Sequence, residues 1–300
     1  MTSRDTDAFR LDRPGVRASF DRASVNYEAA AVLQARVADE LLGRLEPFKF
    51  TPGVVLDLGA GTGRMTGALK RRYRHSLVIA LDLAPGMLRE ARRHQSLFRR
   101  FERVCGDAAR LPVANASVDV VVSSLMLQWC DPPDPAFAEI RRVLKPDGFF
   151  AFSTLGPDTL RELRSAWTEA DDTSHGYNHV NHFTDMHDVG DALVRAGLSE
   201  PVLDVDRMQV TYADALALMR DLKAIGAHNV TAGRPRGLVG RGRLRRMQHA
   251  YEAYRRDGRL PATYEVVYGV AWGAAGRPAS TLVGGEVHIA PGAIRRRNDR

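Results

Sequence analysis

A chain of 300 residues, 44% of them hydrophobic, is long enough to bury a sizeable core as one large α/β domain or two small ones. No apolar run reaches the roughly 18 residues of a membrane span. Charges also stand in the opening MTSRDTDAFRLDRPG where a secretory signal needs an apolar stretch, so a soluble cytoplasmic protein without a membrane partner is expected.

Two cysteines in unrelated contexts, Cys105 and Cys130, give no disulfide framework and no zinc spacing, and both are expected as core thiols. The net charge of +7 is carried almost wholly by arginine, which suits an acidic substrate or partner.

From residue 16 to 45 the apolar positions recur at helical spacing, as in Val32, Ala35, Val37, Leu41, Leu42 and Leu45, and Pro47 ends the run. One or two helices are predicted before any strand, with residues 1–50 as an N-terminal helical segment. Short apolar runs then alternate with helical stretches, at 54–58, 77–81, 103–105, 118–123 and 148–154. Such alternation predicts βαβ units, and runs that are nearly continuously apolar fit strands covered on both faces. The expected class is α/β, a Rossmann-like sheet of seven mostly parallel strands, with its ligand-binding core over 51–155.

Beyond residue 155 a helix over 158–168 is expected, then a polar, His-rich segment at 171–188, a helix ending at Gly197, and strands at 202–212 and 264–272. The connection at 213–258 is larger than neighbouring strands need, and oversized connections are commonly lids. Its Leu216, Met219, Leu222 and Ile225 predict an apolar helix stripe. Residues 156–275 are assigned to the substrate side, and 276–300 read as a tail ending in the exposed run Arg295, Arg296, Arg297.

The run Val54-Val55-Leu56-Asp57-Leu58 passes straight into Gly59-Ala60-Gly61-Thr62-Gly63. Glycines there permit a tight turn and a close approach of backbone to a ligand lying over a helix N-terminus. Arg64 stands where a dinucleotide fingerprint needs its third glycine, which excludes the pyrophosphate-binding version. G-x-G-x-G with Asp57 two residues ahead instead resembles the first motif of S-adenosylmethionine-dependent methyltransferases.

Asp82 closes the second strand, where a carboxylate can accept from ribose hydroxyls, and Leu83 and Met87 follow it. Asp107 and Ala108 follow the third strand at the place expected for adenine. Ser124 and Leu125 end the fourth, at the rim from which a methyl group would project. These positions fall in order at consecutive carboxyl ends of parallel strands, where open α/β sheets bind ligands. Asp57, Gly59, Ala60, Gly61 and Gly63 complete the predicted site for S-adenosyl-L-methionine and its product S-adenosyl-L-homocysteine.

Methyl transfer needs alignment and exclusion of water more than an acid–base dyad. An acceptor carboxyl, with an ordinary pKa of about 4, is already ionised at neutral pH and needs no base.

From residue 16 to 272 the chain resembles the malonyl-carrier-protein O-methyltransferases of biotin synthesis. The likeness is carried by Phe20-Asp21-Arg22-Ala23 with Tyr27, by the cofactor motifs, and by Leu127-Gln128-Trp129-Cys130. His182-Phe183-Thr184-Asp185-Met186-His187-Asp188, residues 219–229, and Leu260-Pro261-Ala262-Thr263-Tyr264-Glu265 extend it. The resemblance implies esterification of the distal carboxyl of a malonyl group, carried on the phosphopantetheine arm of an acidic acyl-carrier protein or on coenzyme A.

The resemblance also implies Tyr27 lying over the cofactor and Gln128 and Trp129 shaping the acceptor pocket. A basic mouth for the carrier is expected from Arg161, Arg164, Arg220 and Lys223, with His182 on the substrate side.

Two other classes stay open at this point. His175, His179, His182 and His187 lie near Asp185 and Asp188, which allows an iron site of the two-His, one-carboxylate kind. Mitochondrial assembly factors that hydroxylate an arginine are similar over the cofactor domain and the Pro-Ala-Thr-Tyr region. The basic pI of about 9.7 suggests an RNA methyltransferase. Against that, the arginines are dispersed, and Asp131-Pro132-Pro133 is completed by Asp134 rather than by an aromatic residue. No metal and no nucleic-acid partner is expected.

Overall fold

The computed structural model describes residues 11–49, 51–171, 179–227, 229–231 and 240–273, with the backbone of two short strands at 281–283 and 286–288. Three helices precede the sheet: α1 (Arg13–Ala23), α2 (Tyr27–Ala30) and α3 (Val32–Arg44). Asp12 caps α1 by accepting from Gly15 N at 3.2 Å, and Pro14 sits in its first turn, where the missing N–H costs nothing. Val37, Ala38, Leu41 and Leu45 form the buried face of the third helix. Val32, expected among them, is 73% exposed. Lying five positions before Val37, it falls about 140° round the helix.

Seven strands follow: β1 (Val54–Leu58), β2 (Leu77–Asp82), β3 (Glu102–Cys105), β4 (Val118–Ser124), β5 (Leu144–Leu155), β6 (Ser199–Tyr212) and β7 (Leu260–Trp272). They form one sheet in the order β3-β2-β1-β4-β5-β7-β6, parallel from β3 to β5, with β7 antiparallel to both its neighbours. The expected class and strand number hold. Intervening helices are α4 (Arg64–Arg72), α5 (Pro85–Glu90), α6 (Asp134–Val143), α7 (Arg161–Ala170), α8 (Met186–Arg195), α9 (Ala215–Ala224) and α10 (Arg241–Glu252).

Alternation along the strands explains their continuous apolar runs. Val55, Val120, Val122, Phe149 and Ala151 face a core shared with α3, α4, α7 and α10. Leu56, Leu58, Val121, Phe150 and Phe152 face a second core built with α6 and α8.

Both later helix ends close by the same device. At the end of α8, Gly197 takes φ +80°; its N–H reaches Val194 O at 2.9 Å, and Leu198 N reaches Leu193 O at 3.1 Å. At the end of α9, Gly226 takes φ +73°, and Ala227 N reaches Leu222 O at 2.9 Å. The Gly226 carbonyl then accepts from Ser19 Oγ at 2.9 Å, and Asp12 N donates to Val230 O at 3.0 Å. The connection between β6 and β7 is thereby fastened to α1, and the two together form a roof over the carboxyl edge of the sheet.

The stripe expected on α9 holds at Met219 and Leu222, partly buried against the core, and at buried Ile225, and breaks at Leu216. Its buried line runs through Ala215, Leu218 and Ile225, with Leu222 partly buried, while Leu216 is 39% exposed. Both sets satisfy helical spacing, so periodicity alone cannot choose between them. The helix expected over 158–168 starts later, at Arg161. The expected tail at 276–300 falls largely outside the described residues, including Arg295, Arg296 and Arg297; within it β8 (Thr281–Val283) and β9 (Glu286–His288) pair antiparallel. Among the described residues no helix is long and apolar enough to cross a membrane.

Candidate active site

The glycine-rich turn after β1 is pinned to β2, because Gly59 N and Ala60 N both donate to Leu81 O, at 2.8 and 3.0 Å. Its three glycines do different work. A Cβ on Gly59 (φ +78°) would lie 2.3 Å from Met126 Cγ, and one on Gly63 (φ +84°) would lie 2.8 Å from Ala91 Cβ. Gly61 (φ +52°) has nothing within 4 Å of that position, so its bare backbone meets open space. Gly63, expected to touch the cofactor, instead permits α4 to pack against the chain after α5.

Around this turn lies a cleft of about 830 Å³. One wall carries Gly61, Asp82, Leu83, Met87, Asp107 and Ala108, the rim carries Ser124 and Leu125, and α1 covers it with Arg13, Val16 and Phe20. Asp82 accepts from Gly61 N and Ala84 N, each at 2.8 Å. Burial raises its pKa, those backbone donors oppose the shift, and the nearby Asp21 adds to it. Asp107 accepts from Ala109 N at 2.9 Å and meets Arg13 Nη1 at 3.2 Å, an exposed pair of small energetic weight.

A second pocket continues the first past Tyr27, Gly59, Gly61 and Ser124, and reaches Asp57, Ala60, Thr62 and Glu28. Asp57 is 1% exposed and accepts from Thr66 Oγ1 at 2.5 Å. Burial pushes its carboxyl up to about 7, with the Thr66 bond opposing that rise and the Asp82 charge reinforcing it.

The third space is a chamber of about 580 Å³. Its walls are Leu33, Leu125, Leu155, Leu160, Phe183, Leu222 and Ile225, interrupted by Gln34, Gln128, Thr159, Asn181 and Tyr264. It adjoins the first cleft at Phe20, Tyr27, Leu125 and Trp129, where Phe20 and Trp129 meet edge to face with centroids 5.1 Å apart. Tyr27 is the one described residue that lines all three spaces. Burial, and then the charge of Asp82, raise its pKa, so the phenol stays protonated and able to donate.

Gln128 is held in place, donating to Leu125 O at 2.8 Å and accepting from Thr154 Oγ1 at 3.4 Å. The four cations expected as a basic mouth for the carrier lie outside the chamber wall. Arg164 donates to Pro157 O and Thr159 O, at 2.9 and 3.0 Å, and so ties down the loop before α7. Arg161 lies beside Glu162 and Asp158, at 3.5 and 3.9 Å, and Arg220 and Lys223 are exposed on α9. Among the described residues no arginine or lysine lines the chamber.

His182 is exposed, whereas its neighbours Asn181 and Phe183 are buried in the chamber wall.

The 260–265 motif acts through the same loop. Glu162 accepts from Thr263 N at 3.0 Å and from Thr263 Oγ1, while Glu265 accepts from Asp158 N at 2.8 Å. Thr159 and Leu160 are thereby fixed in the chamber wall.

The remaining histidines have structural partners. His179 stacks on Trp167 with centroids 4.0 Å apart and meets Asp171 Oδ2 at 3.0 Å. His187 meets Asp185 Oδ1 at 2.8 Å, at the start of α8. His175 and His228 lie outside the described residues. Among the described residues no three His, Cys, Asp or Glu side chains are grouped to hold a metal ion.

The expectation of two core thiols needs correction. Cys105 is exposed, and Cys130 lines the first cleft, its thiol pushed up to about 12 by burial and therefore unreactive. Sequence reasoning also missed Arg13, Val16, Met126, Asn181 and Tyr264 as wall residues. A signal existed for α1, because 13, 16 and 20 share one helical face.

The first two pockets fit one elongated ligand. Two carboxylates separated by an apolar stretch suit a nucleoside, the bare backbone of Gly61 allows close approach, and the acidic second pocket suits an ammonium.

A family model described as a methyltransferase domain matches residues 56–152. Malonyl-acyl-carrier protein O-methyltransferases from Methylovorus sp. and Laribacter hongkongensis are 55% and 54% identical to this chain, over 89% and 92% of it and 90% and 95% of themselves. The enzyme of that name from Halorhodospira halophila is 50% identical over 97% of this chain and 98% of its own.

Among solved structures, a putative methyltransferase from Bacillus halodurans superposes with a TM-score of 0.55 at 18% identity, covering 78% of this chain and 97% of that one. Haemonchus contortus phosphoethanolamine N-methyltransferase 2, solved with phosphomonomethylethanolamine and S-adenosylhomocysteine, gives 0.51 at 17% identity, covering 86% and 59%. These structures share the fold; the sequence relatives fix the family. The chain belongs to the malonyl-acyl-carrier protein O-methyltransferase family, whose cofactor is S-adenosylmethionine.

Proposed function

We propose that the protein esterifies the free carboxyl of a malonyl group held as a thioester on an acyl-carrier protein, an early step toward the pimeloyl part of biotin. The observation that carries this reading is the identity of 50–55% with enzymes of that name along nearly their whole length. The geometry supports it, because a separate, largely apolar chamber adjoins the cofactor cleft and excludes water around a small acyl group.

In this reading Asp82 takes the ribose, Asp107 and the Ala108 backbone take the adenine, and Asp57 orders the turn and the methionine ammonium. When bound, S-adenosylmethionine supplies a methyl group on a sulfonium, and the acceptor takes it with the carbon–sulfur electron pair remaining on sulfur, so no proton has to move. Tyr27, at the junction, aligns the acceptor, and Phe20 and Trp129 narrow the passage between the chambers. Arg220 and Lys223, exposed on the roof helix, steer an acidic carrier toward it.

The test is transfer of labelled methyl to malonyl-, succinyl- and acetyl-carrier protein, with malonyl-coenzyme A as the alternative thioester. Label is expected on malonyl, weakly on succinyl, and not on acetyl, which lacks the acceptor carboxyl. Labelled acetyl carrier would contradict the chemistry.

A further inference from the structure

Hydrogen-bonding capacity in the acceptor chamber is largely committed. Thr159 donates to Glu265 O at 3.2 Å and accepts from Glu265 N at 3.1 Å. Gln128 is spanned between Leu125 and Thr154, and the Tyr264 hydroxyl is bonded to Tyr212. Among the buried polar side chains of the described wall Asn181 stands apart: at 8% exposure its Oδ1 is fully enclosed with no hydrogen-bond partner, whereas Gln34 and Tyr27 are only half-buried. A buried amide left unsatisfied is rare and calls for a specific explanation.

Two other enclosed polar atoms have charged company elsewhere. Glu90 Oε2 lies 2.9 Å from Arg93, and the Tyr268 ring lies under the Arg44 guanidinium, 4.2 Å from its centroid. The backbone that carries Asn181 leads directly into the Asp185 cap of α8.

We infer that Asn181 holds the malonyl carboxylate, its amide N–H donating to one oxygen while the other oxygen faces the junction at Tyr27. This rests on the acceptor assigned under Proposed function. Oδ1 is the enclosed end of the amide and Nδ2 is not enclosed, so the donor faces the chamber as the side chain stands. The absence of arginine and lysine from the described wall gives the choice of donor its chemical sense. A guanidinium grips both oxygens of a carboxylate and neutralises it, whereas a single neutral amide fixes its direction and leaves the charge that makes it a nucleophile. The same contact discriminates by length, since a succinyl carboxylate would overshoot an anchor set for malonyl.

The experiment uses the full chain with S-adenosylmethionine and malonyl-carrier protein, comparing wild type with Asn181→Leu and Asn181→Asp. Asn181→Leu keeps the volume and removes the donor. It should lower kcat/KM about 30- to 100-fold, as expected for one hydrogen bond to a charged group, while S-adenosylhomocysteine binding stays within about twofold. Asn181→Asp should be poorer still at pH 8 through like-charge repulsion, then recover at least about tenfold relative to wild type by pH 6, as the introduced carboxyl protonates and becomes a donor.

An Asn181→Leu enzyme within about threefold of wild type overturns the inference. So does an Asn181→Asp profile parallel to that of Asn181→Leu, which would place the amide away from the carboxylate. Binding of malonyl-pantetheine to protein saturated with S-adenosylhomocysteine reads the same contact without turnover: about 30-fold weaker binding to Asn181→Leu supports it, and equal binding overturns it. Failure of wild type to form the malonyl ester overturns the acceptor assignment instead, and so separates the two claims.

Discussion

The cofactor cleft and the acceptor chamber meet at Tyr27, but they are assembled differently. Much of the cleft wall is a strand end or the residues just after one: Leu58 and Gly59, Asp82 and Leu83, Gly106 and Asp107, Ser124 and Leu125. The chamber takes Leu125 and Leu155 from strand ends and Gln128 and Trp129 from the turn after β4, but gathers the rest of its walls from α1, α2 and α3, the loop before α7, the segment before α8, the end of α9, and β7. A site built on the edge of one sheet inherits its geometry from strand register, whereas a site under a roof depends on how separate elements pack. Mutations in the two regions should therefore differ in kind.

The largest contrast lies within the glycine turn. Gly61→Ala points a methyl group into the cleft and should weaken S-adenosylhomocysteine binding about 100-fold, at a cost of about 1–2 kcal/mol from its left-handed backbone. Gly59→Ala meets Met126 and should cost about 2–4 kcal/mol of stability, read by denaturant melting. If both variants merely unfold, the turn has a packing role only.

At the junction, Tyr27→Phe should lower kcat about tenfold with its melting temperature shifted by less than about 2 °C, the loss of roughly one hydrogen bond in the transition state. Full activity in that variant would remove Tyr27 from the mechanism and leave the junction to Phe20, Leu125 and Trp129.

Next in size is the buried carboxyl behind the turn. Asp57 titrates near 7 in the folded protein against 3.8 ordinarily, so its contribution to stability is fully present below about pH 4 and is lost as pH rises through about 7. Asp57→Asn keeps an acceptor for Thr66 and cannot ionise. Its stability relative to wild type should rise by about 1.4 kcal/mol between pH 6 and pH 8, measured by denaturant unfolding at the two pH values. A pH-independent difference would mean that Asp57 stays ionised throughout.

The smallest effect belongs to the roof. Replacing Arg220 and Lys223 together by alanine should raise the KM for carrier protein about three- to tenfold at low salt, an effect that shrinks as salt is added. The KM for malonyl-pantetheine should not change. Equal changes for both substrates would show that the pair acts inside the chamber rather than on the carrier.

The same comparison separates what could be read from sequence from what could not. Asp57, Asp82 and Asp107 were legible because each follows a short apolar run, and parallel pairing brings those run ends level, as in Leu58 beside Leu81 and Asp82 beside Cys105. Gly63 was misjudged because motif spacing does not distinguish a glycine that faces a ligand from one that faces Ala91.

The chamber was legible only through family resemblance, which named Tyr27, Gln128 and Trp129 in its wall and also side chains that lie outside it. His182 is exposed while its neighbours Asn181 and Phe183 line the wall, and charge alone does not reveal the carbonyls that occupy Arg164. The stripe on α9 was legible at Met219, Leu222 and Ile225, but spacing alone could not tell exposed Leu216 from buried Ala215 and Leu218.

Calorimetric titration of S-adenosylhomocysteine into wild type, Gly61→Ala and Asn181→Leu tests the division of labour between the two regions most directly. One site per chain is expected in wild type, binding about 100-fold weaker in Gly61→Ala, and wild-type affinity in Asn181→Leu. No binding by wild type, or equal loss in both variants, would contradict the account.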